Sequence, residues 1–400
     1  MYLEGLLMRK FIISLFFTTF FSAFIFAAEK KTELKVWESS GTEQNFIQYA
    51  IKEFRKINPK IRIRYEPVES TDARNKIELD GPAGVGADVF VAPHDHIGAL
   101  VAGDHILPVD DAEEYMKDFF SLAKKAATYD GVVYGYPLGA ETYVLFYNKD
   151  ILKKPFTTWE EIISYAQKWN VPVENKFALS WAVTDPYYSF MFLDSFGAPL
   201  FGPNGDNPKQ HNLNSPEAIE GMKYFQKLRN LVLNIPAADA SRDFCHASFR
   251  SGASPMIITG SWKINEFKNA GMNFGLSTLP KFPGKDKPAS SFSGVRLAFV
   301  SSYSEHPEEA KEFAKFITSK EMLQKRFEMT DQIPPRNDIQ IEDEYSKAIV
   351  DQLKYSKPMP TIIQLGRFWQ CMGPAVSGIW DGDDVTKTMN IAAATMDAVR

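Results

Sequence analysis

Four places in the sequence put aromatic rings beside carboxylates or turn residues: Trp37 and the segments 185–188, 260–262 and 368–369. A carbohydrate site needs this mixture, because the apolar face of a sugar lies on an aromatic ring and carboxylates accept hydrogen bonds from its hydroxyl rim. Any one of these segments alone is more often part of a hydrophobic core or the start of a helix. Only their combination predicts a sugar-binding site.

The sequence lacks the short motifs that mark common catalytic sites. It has no G-x-x-x-x-G-K-[ST] phosphate loop, no G-x-S-x-G elbow, no H-E-x-x-H and no C-x-x-C. His94 and His96 flank Asp95, but histidines two residues apart point to opposite faces of a strand or lie in a turn, so no metal and no cofactor are expected. The enzymatic alternative is a secreted glycoside hydrolase with Glu141 and Asp185 as its paired carboxylates.

Composition indicates an ordinary globular protein. The 400 residues suggest roughly two to three domains. Lys and Arg number 45 against 50 Asp and Glu, which gives a formal net charge of −5. This mild acidity argues against a broad nucleic-acid or anionic-lipid surface, because such partners need clustered positive charge.

Residues 1–27 are predicted to be a secretory signal peptide. Arg9-Lys10 precede the apolar run 11–26, which is short for a membrane span, and small residues suit cleavage after Ala27 or Ala28. The alternative is an uncleaved membrane anchor. With cleavage, we expect a periplasmic or extracellular location.

The sequence contains two cysteines, Cys245 and Cys371, and neither lies near the predicted cleavage position. A lipid-modified N-terminal cysteine is therefore not expected, and the mature protein should be freely soluble. Sequence separation neither requires nor forbids a disulfide between the two. Two buried free thiols is the favoured interpretation.

Hydrophobic periodicity predicts an α/β fold. Residues 34–37 alternate as a strand, apolar side chains from 44 to 57 recur at helical spacing, and 61–65 alternate again. A strand, helix and strand in this order form a right-handed parallel βαβ unit. Residues 134–137, leading to 144–147, are predicted to continue this strand pattern.

Several helices have recognisable starts. Thr158 and Ser215 are predicted N-caps of helices that end near Trp169 and Leu231. Two more helices are predicted over 96–101 and around 186–196.

The order of these segments resembles the maltose- and maltodextrin-binding proteins of ABC importers, within the extracellular solute-binding family for oligosaccharides. The likeness covers nearly all of residues 34–400. The stretches that carry it are 34–37, 87–95, 136–150, 157–161, 185–187, 259–262, 279–280 and 359–369.

The resemblance implies roles for polar residues. Asp95 and Glu141 would take sugar hydroxyls. Ser39 stands near the first strand, where the family uses hydroxyl-binding side chains. Asp185 occupies a position at which the family usually has Glu.

The resemblance also implies that three aromatic residues, Tyr187, Trp262 and Trp369, stack on glucose rings. Departures from the family pattern point to a different sugar length or linkage, because side chains that hold sugar in known maltose binders are missing or changed here. The changed positions are Ala92, His96, Ser39, Gly41, Thr42 and Gly373.

The implied architecture is a two-lobed periplasmic-binding-protein fold of type II, with ligand in the cleft between two α/β lobes. Lobe 1 would contain 34–139 and 298–332, and lobe 2 would contain 144–292 and 341–400. The hinge crossings would lie near 140–143, 293–297 and 333–340.

The implied function is that of the substrate-binding component of an ABC transporter. It would capture maltose or maltodextrin by lobe closure and deliver it to permease subunits in the membrane, most simply as a monomer. A receptor of the same fold for another oligosaccharide or a polyol is the main alternative, and the glycoside hydrolase is the second.

Overall fold

The computed structural model describes residues 32–398. The predicted signal peptide, residues 1–27, lies outside these described residues. The strands are β1 (Thr32–Glu38), β2 (Ile61–Pro67), β3 (Val89–Pro93), β4 (Thr128–Tyr129), β5 (Val132–Val133), β6 (Gly135–Asn148), β7 (Leu179–Ser180), β8 (Met256–Gly260), β9 (Phe274–Ser277), β10 (Ser291–Val300) and β11 (Ser356–Pro358).

The helices alternate with these strands along the chain. They are α1 (Thr42–Ile57), α2 (Ala73–Asp80), α3 (Ile97–Ala102), α4 (Ala112–Met116), α5 (Ser121–Ala126), α6 (Trp159–Trp169), α7 (Pro186–Asp194), α8 (Pro216–Leu231), α9 (Arg242–Ser251), α10 (Ile264–Asn269), α11 (Pro307–Ile317), α12 (Lys320–Thr330), α13 (Glu344–Leu353), α14 (Gln364–Asp381) and α15 (Val385–Asp397). Short 3₁₀ turns occupy His94–His96, Pro172–Glu174, Ala237–Asp239 and Ser261–Lys263.

The predicted N-terminal βαβ unit is confirmed. Strands β1 and β2 pair in parallel, with Val36 opposite Tyr65, and α1 connects them. The apolar spacing of α1 buries Phe46, Ile47 and Phe54 against the sheet, which is how an amphipathic helix is stabilised in a protein.

The start predicted for each of two helices is also confirmed. Thr158 caps α6 in a reciprocal capping box with Glu161, and the Ser215 hydroxyl accepts from the Ala218 amide at the start of α8. The other two predictions need adjustment. The helix predicted over 96–101 begins at Ile97, after the 3₁₀ turn His94–His96, and the helix predicted over 186–196 ends at Asp194.

The predicted strand segments 134–137 and 144–147 lie in one strand. Both segments belong to β6, a single strand of 14 residues. Its first part pairs antiparallel with β10, and its second part pairs with β8 and β9. The backbone stays extended between the two parts because each has its own strand partners.

The strands β2-β1-β3-β10-β6-β8-β7 form one continuous sheet in this order. Two large hydrophobic cores lie at its two ends. One core contains the apolar faces of β1, β3 and α1, and the other contains α6, α7, α8 and α14. A smaller core lies around α9, α10 and β9. Strand β6 contributes Tyr136 to the first core and Tyr143 to the second, so it joins the two.

None of the helices within residues 32–398 is long and apolar enough to cross a membrane.

Candidate functional site

A cavity of about 790 Å³ opens where the two large cores meet. This volume lies within the range of small-molecule binding sites, about 300–1,000 Å³. All seven residues predicted as site residues line it: Ser39, Asp95, Glu141, Asp185, Tyr187, Trp262 and Trp369.

One wall of the cavity is formed at the carboxyl ends of the parallel strands β1, β2 and β3. Loops after these strands converge there, as expected for an open α/β sheet. The Ser39 hydroxyl accepts from the Ser70 amide at 3.0 Å, which holds the first two loops together. Asp95 follows β3 and makes no hydrogen bond or ion pair with any other residue of the described chain, so its carboxylate is free to accept from a ligand.

The floor contains an ion pair between Glu141 on β6 and Arg296 on β10. Glu141 lies opposite Gly294, and Arg296 lies two residues further along on the same face of the sheet. Such diagonal neighbours lie within reach of long side chains. Arg296 Nε donates to Glu141 Oε2 at 3.0 Å. A Cβ at position 294 would lie 3.2 Å from Glu141 Cγ, so glycine there leaves room for Glu141 to lean toward Arg296.

The opposite wall is aromatic. Tyr187 in the first turn of α7 packs 6.1 Å from Trp262 between ring centroids. Phe292 bridges the group, at 5.9 Å from Tyr187 and 5.7 Å from Trp369. The hydroxyl of Tyr187 is buried and has no hydrogen-bond partner among residues 32–398. The wall therefore offers apolar faces together with an available polar atom.

The ring of Trp262 lies very close to the backbone of Gly260. A Cβ at Gly260 would lie 2.1 Å from the Trp262 ring. The absence of a side chain at position 260 therefore lets the 3₁₀ turn after β8 fold the ring back over the strand. Trp262 and Trp369 are both half-buried, so each ring retains exposed area at the cavity.

The structure places Trp37 and Phe368, two aromatics of the predicted carbohydrate segments, elsewhere. Both are fully buried in the hydrophobic cores and do not line the cavity. Trp37 packs against Phe90 and lies under Lys76.

Asp185 has structural partners as well as a place at the cavity. It is the N-cap of α7, where Oδ1 accepts from the Tyr187 amide at 3.1 Å. Its Oδ2 accepts from Arg242 Nε at 3.2 Å and Nη2 at 2.5 Å. Because a carboxylate oxygen can accept two hydrogen bonds, Oδ1 can still accept one from a ligand, whereas Oδ2 already accepts two.

His94 and His96 lie in a turn, one of the two arrangements expected from their spacing. His94 Nδ1 accepts from the Val295 amide at 3.2 Å, so the neutral ring donates from Nε2 to the Met359 carbonyl at 2.9 Å. Both nitrogens of His94 are occupied. Across residues 32–398, the structure contains no group of three His, Cys, Asp or Glu residues that could hold a metal ion.

The sequence analysis did not identify three residues that line the cavity: Arg296, Arg242 and His246. Arg296 could have been suspected, because it is the single charge in the otherwise apolar and small-residue run 291–300. A charge in a buried strand needs a partner or a function. Arg242 and His246 lie on α9, where exposed polar residues are ordinary and give no such signal.

The histidines predict how stability depends on pH. Burial and the nearby Lys263 together lower the pKa of His246 to about 4, and burial also lowers the pKa values of His94 and His96. Below the ordinary histidine pKa the unfolded chain therefore binds protons before the native protein does. We expect the free energy of unfolding to fall as pH decreases from about 6.5 toward 4, with about 2 kcal/mol due to His246.

Urea denaturation at a series of pH values checks this expectation. His246→Gln keeps a polar partner for Thr259, whose hydroxyl lies 3.3 Å from His246 Nε2, but does not titrate. Its stability should therefore depend less steeply on pH over that interval. A slope equal to that of the wild type would show that His246 does not contribute.

The fold and the cavity together define a binding protein built from two α/β lobes, the type II substrate-binding arrangement. A model of bacterial extracellular solute-binding proteins matches residues 49–350, and the chain belongs to this family. Its members bind solutes and are not enzymes.

Relatives and solved structures agree with this assignment. A galactooligosaccharide-binding protein of Bacillus subtilis is 30% identical over an alignment of 385 positions that covers 92% of this chain and 90% of that protein. A maltodextrin-binding protein of the same organism is 27% identical, over 82% of this chain and 80% of its own. A solved cyclo/maltodextrin-binding protein in complex with maltotetraose is 33% identical, with a TM-score of 0.79 over 92% of this chain and 96% of that chain.

Proposed function

We propose that this protein is the substrate-binding component of an ABC transporter that captures maltose- or maltodextrin-type oligosaccharides and delivers them to a membrane permease. One observation carries the proposal. Half-buried aromatic rings form one wall of a single cavity whose other surfaces carry Asp95, Ser39 and Glu141. Aromatic faces suit sugar rings, and carboxylates suit vicinal hydroxyls. The names of the relatives support the same ligand class.

The proposed lobes are 34–139 with 298–332 and 144–292 with 341–400, and the hinge crossings lie near 140–143, 293–297 and 333–340. The two large cores and the long strands β6 and β10 support this division. A ligand that touches both lobes binds the closed arrangement better than the open one and shifts the population toward it. The closed form would present a composite surface to the permease.

Calorimetric titration of the mature protein tests the ligand class. We expect saturable binding of maltotriose and longer maltodextrins, accompanied by a change in tryptophan fluorescence because Trp262 and Trp369 line the cavity. Small-angle scattering should show a smaller radius of gyration with ligand. Absence of heat with maltose, maltotriose, maltotetraose and β-linked galactooligosaccharides would contradict an oligosaccharide receptor.

Galactooligosaccharides are the second candidate ligand. The relative named for them matches nearly the full length of this chain, and the positions occupied by Ala92 and Gly373 differ from the pattern of known maltose binders. A heat of binding with β-1,4-galactotriose and none with maltotriose would replace the maltodextrin assignment and keep the receptor role.

The aromatic wall gives a mutational prediction. Replacing Trp262 or Trp369 with alanine should weaken maltotriose binding by about 1–3 kcal/mol, because stacking area is lost. Trp169→Ala is the matched control, since this half-buried ring stacks on Tyr165 away from the cavity. Calorimetry gives the affinities. Unchanged affinity combined with a lowered melting temperature would assign the two tryptophans to the core.

We also propose export, with removal of residues 1–27 and a monomeric mature protein. A relative from Streptococcus pneumoniae is a lipoprotein. In this sequence the first cysteine is Cys245, so no cysteine that could carry a lipid lies near the proposed cleavage position. Mass spectrometry of the exported protein measures the cleavage position and any lipid. Light scattering measures the oligomeric state.

A further inference from the structure

Most hydrogen-bond donors of Arg296 have no partner among residues 32–398. Its Nε donates to Glu141 Oε2, whereas Nη1 and Nη2 have no hydrogen bond or ion pair with another residue between 32 and 398. The side chain is 16% exposed and lines the cavity. A guanidinium carries five N–H donors in a planar fork, so four of them remain for a ligand.

The charge of this group is permanent. Burial works against ionisation, but the adjacent Glu141 carboxylate outweighs it and raises the pKa of Arg296 above its ordinary value, with Glu43 and Glu38 acting in the same direction. Glu141 Oε1 accepts no hydrogen bond within the described part of the chain. The floor of the cavity therefore holds free donors and a free acceptor side by side.

The position of Arg296 is set by the sheet. On β10 it pairs with Pro93 of β3 and Gly139 of β6, and the ladder to β6 shifts register between Arg296 and Leu297. A bulge of this kind re-aims neighbouring side chains and is common beside binding sites. The guanidinium is thus placed by two strands of the central sheet and by the ion pair.

A sugar hydroxyl is at once a donor and an acceptor. Resting on the proposed function, we propose that Arg296 is a specificity-determining residue that donates directly to one sugar hydroxyl while the same hydroxyl donates to Glu141. Hydrogen bonds to charged groups are about twice as strong as neutral ones. A sugar that lacks this hydroxyl would leave an Arg296 donor and a Glu141 acceptor oxygen without a partner and would bind more weakly.

The other charges of the cavity argue against an anionic ligand at Arg296. Glu141 already neutralises its charge, and Asp185 neutralises Arg242. Asp95 and Glu43, which also line the cavity, have no cationic partner among residues 32–398. A carboxylate or phosphate would meet this excess of negative charge, whereas a neutral hydroxyl would not.

Calorimetric titration with maltotriose and its monodeoxy analogues tests the inference. Arg296→Met should bind maltotriose at least roughly 10-fold more weakly than wild type. For one deoxy analogue, the wild type should lose more affinity than the variant does. The wild type loses the contacts of that hydroxyl with both Arg296 and Glu141, whereas the variant can lose only the contact with Glu141. Arg296→Lys keeps the charge beside Glu141 and should show the same pattern, which protects the test against a folding defect in the methionine variant.

Arg229→Met is the control, because Arg229 forms an ion pair with the more exposed Asp381 away from the cavity. It should bind every analogue as the wild type does. Wild-type affinities in both Arg296 variants would overturn the inference, as would losses that simply add for every deoxy analogue. If wild type binds neither maltotriose nor β-1,4-galactotriose, the proposed function fails first, and the two failures are thereby distinguished.

Discussion

Replacing Glu141 with alanine is expected to weaken maltotriose binding by about 2–3 kcal/mol, or roughly 30- to 150-fold. Glu141 is buried on the floor of the cavity, and it supplies a charged acceptor that the sugar hydroxyls would lose. Its removal also leaves Arg296 without its ion-pair partner in the same place. Both effects act at the binding site, so affinity should fall more than the contact area of one side chain suggests. Calorimetry measures the loss.

Two variants separate binding from folding. Glu141→Gln keeps the shape and one acceptor oxygen, so it should bind with intermediate affinity and melt close to the wild type. Glu344→Ala removes a carboxylate from an exposed pair with Lys149, a type of pair that contributes about 0–1 kcal/mol, and should change neither property. If Glu141→Ala lowers the melting temperature yet binds sugar normally, Glu141 is a structural residue only.

Those parts of the candidate site that depend on residues adjacent in sequence could be predicted from the sequence. An aromatic ring beside a carboxylate or a turn is visible in the sequence, and Tyr187, Trp262 and Trp369 do line one cavity. Trp37 and Phe368 show the limit of this reasoning. They occur in equally suggestive segments but face the cores, because the direction of a side chain depends on which neighbour the strand or helix packs against.

The fold shows the same division between local and long-range information. Side-chain periodicity predicts the βαβ unit and the caps at Thr158 and Ser215, which depend on nearby residues. It does not predict that β6 runs unbroken through both halves, because this depends on pairing with strands that follow more than 100 residues later. The partnership of Glu141 with Arg296 is likewise a matter of register between β6 and β10, which one sequence does not reveal.

The largest effect on stability is expected from Arg326, whose side chain is 2% exposed. Its Nη1 donates to Glu38 Oε2 and its Nε donates to Gln332 Oε1, both at 3.0 Å. The guanidinium also lies 5.0 Å from the centre of the Phe46 ring. Arg326 thereby joins β1, α1, α12 and the chain just beyond α12. Gln332 continues the network to Glu43 at the cavity, at 2.8 Å.

Arg326→Met should lower the free energy of unfolding by about 3–5 kcal/mol, because it leaves Glu38 buried without the cation that compensates its charge. Urea denaturation measures the change. Arg336→Met is the control, since the acidic partners of Arg336, Asp118 and Asp338, are 43% and 33% exposed and so reach water, and it should lose about 1 kcal/mol. The double variant Glu38→Met with Arg326→Met should recover much of the loss, because two apolar side chains need no ionic partner. If Arg326→Met is as stable as the wild type, water reaches Glu38. The contacts of Arg326 then contribute packing rather than charge compensation.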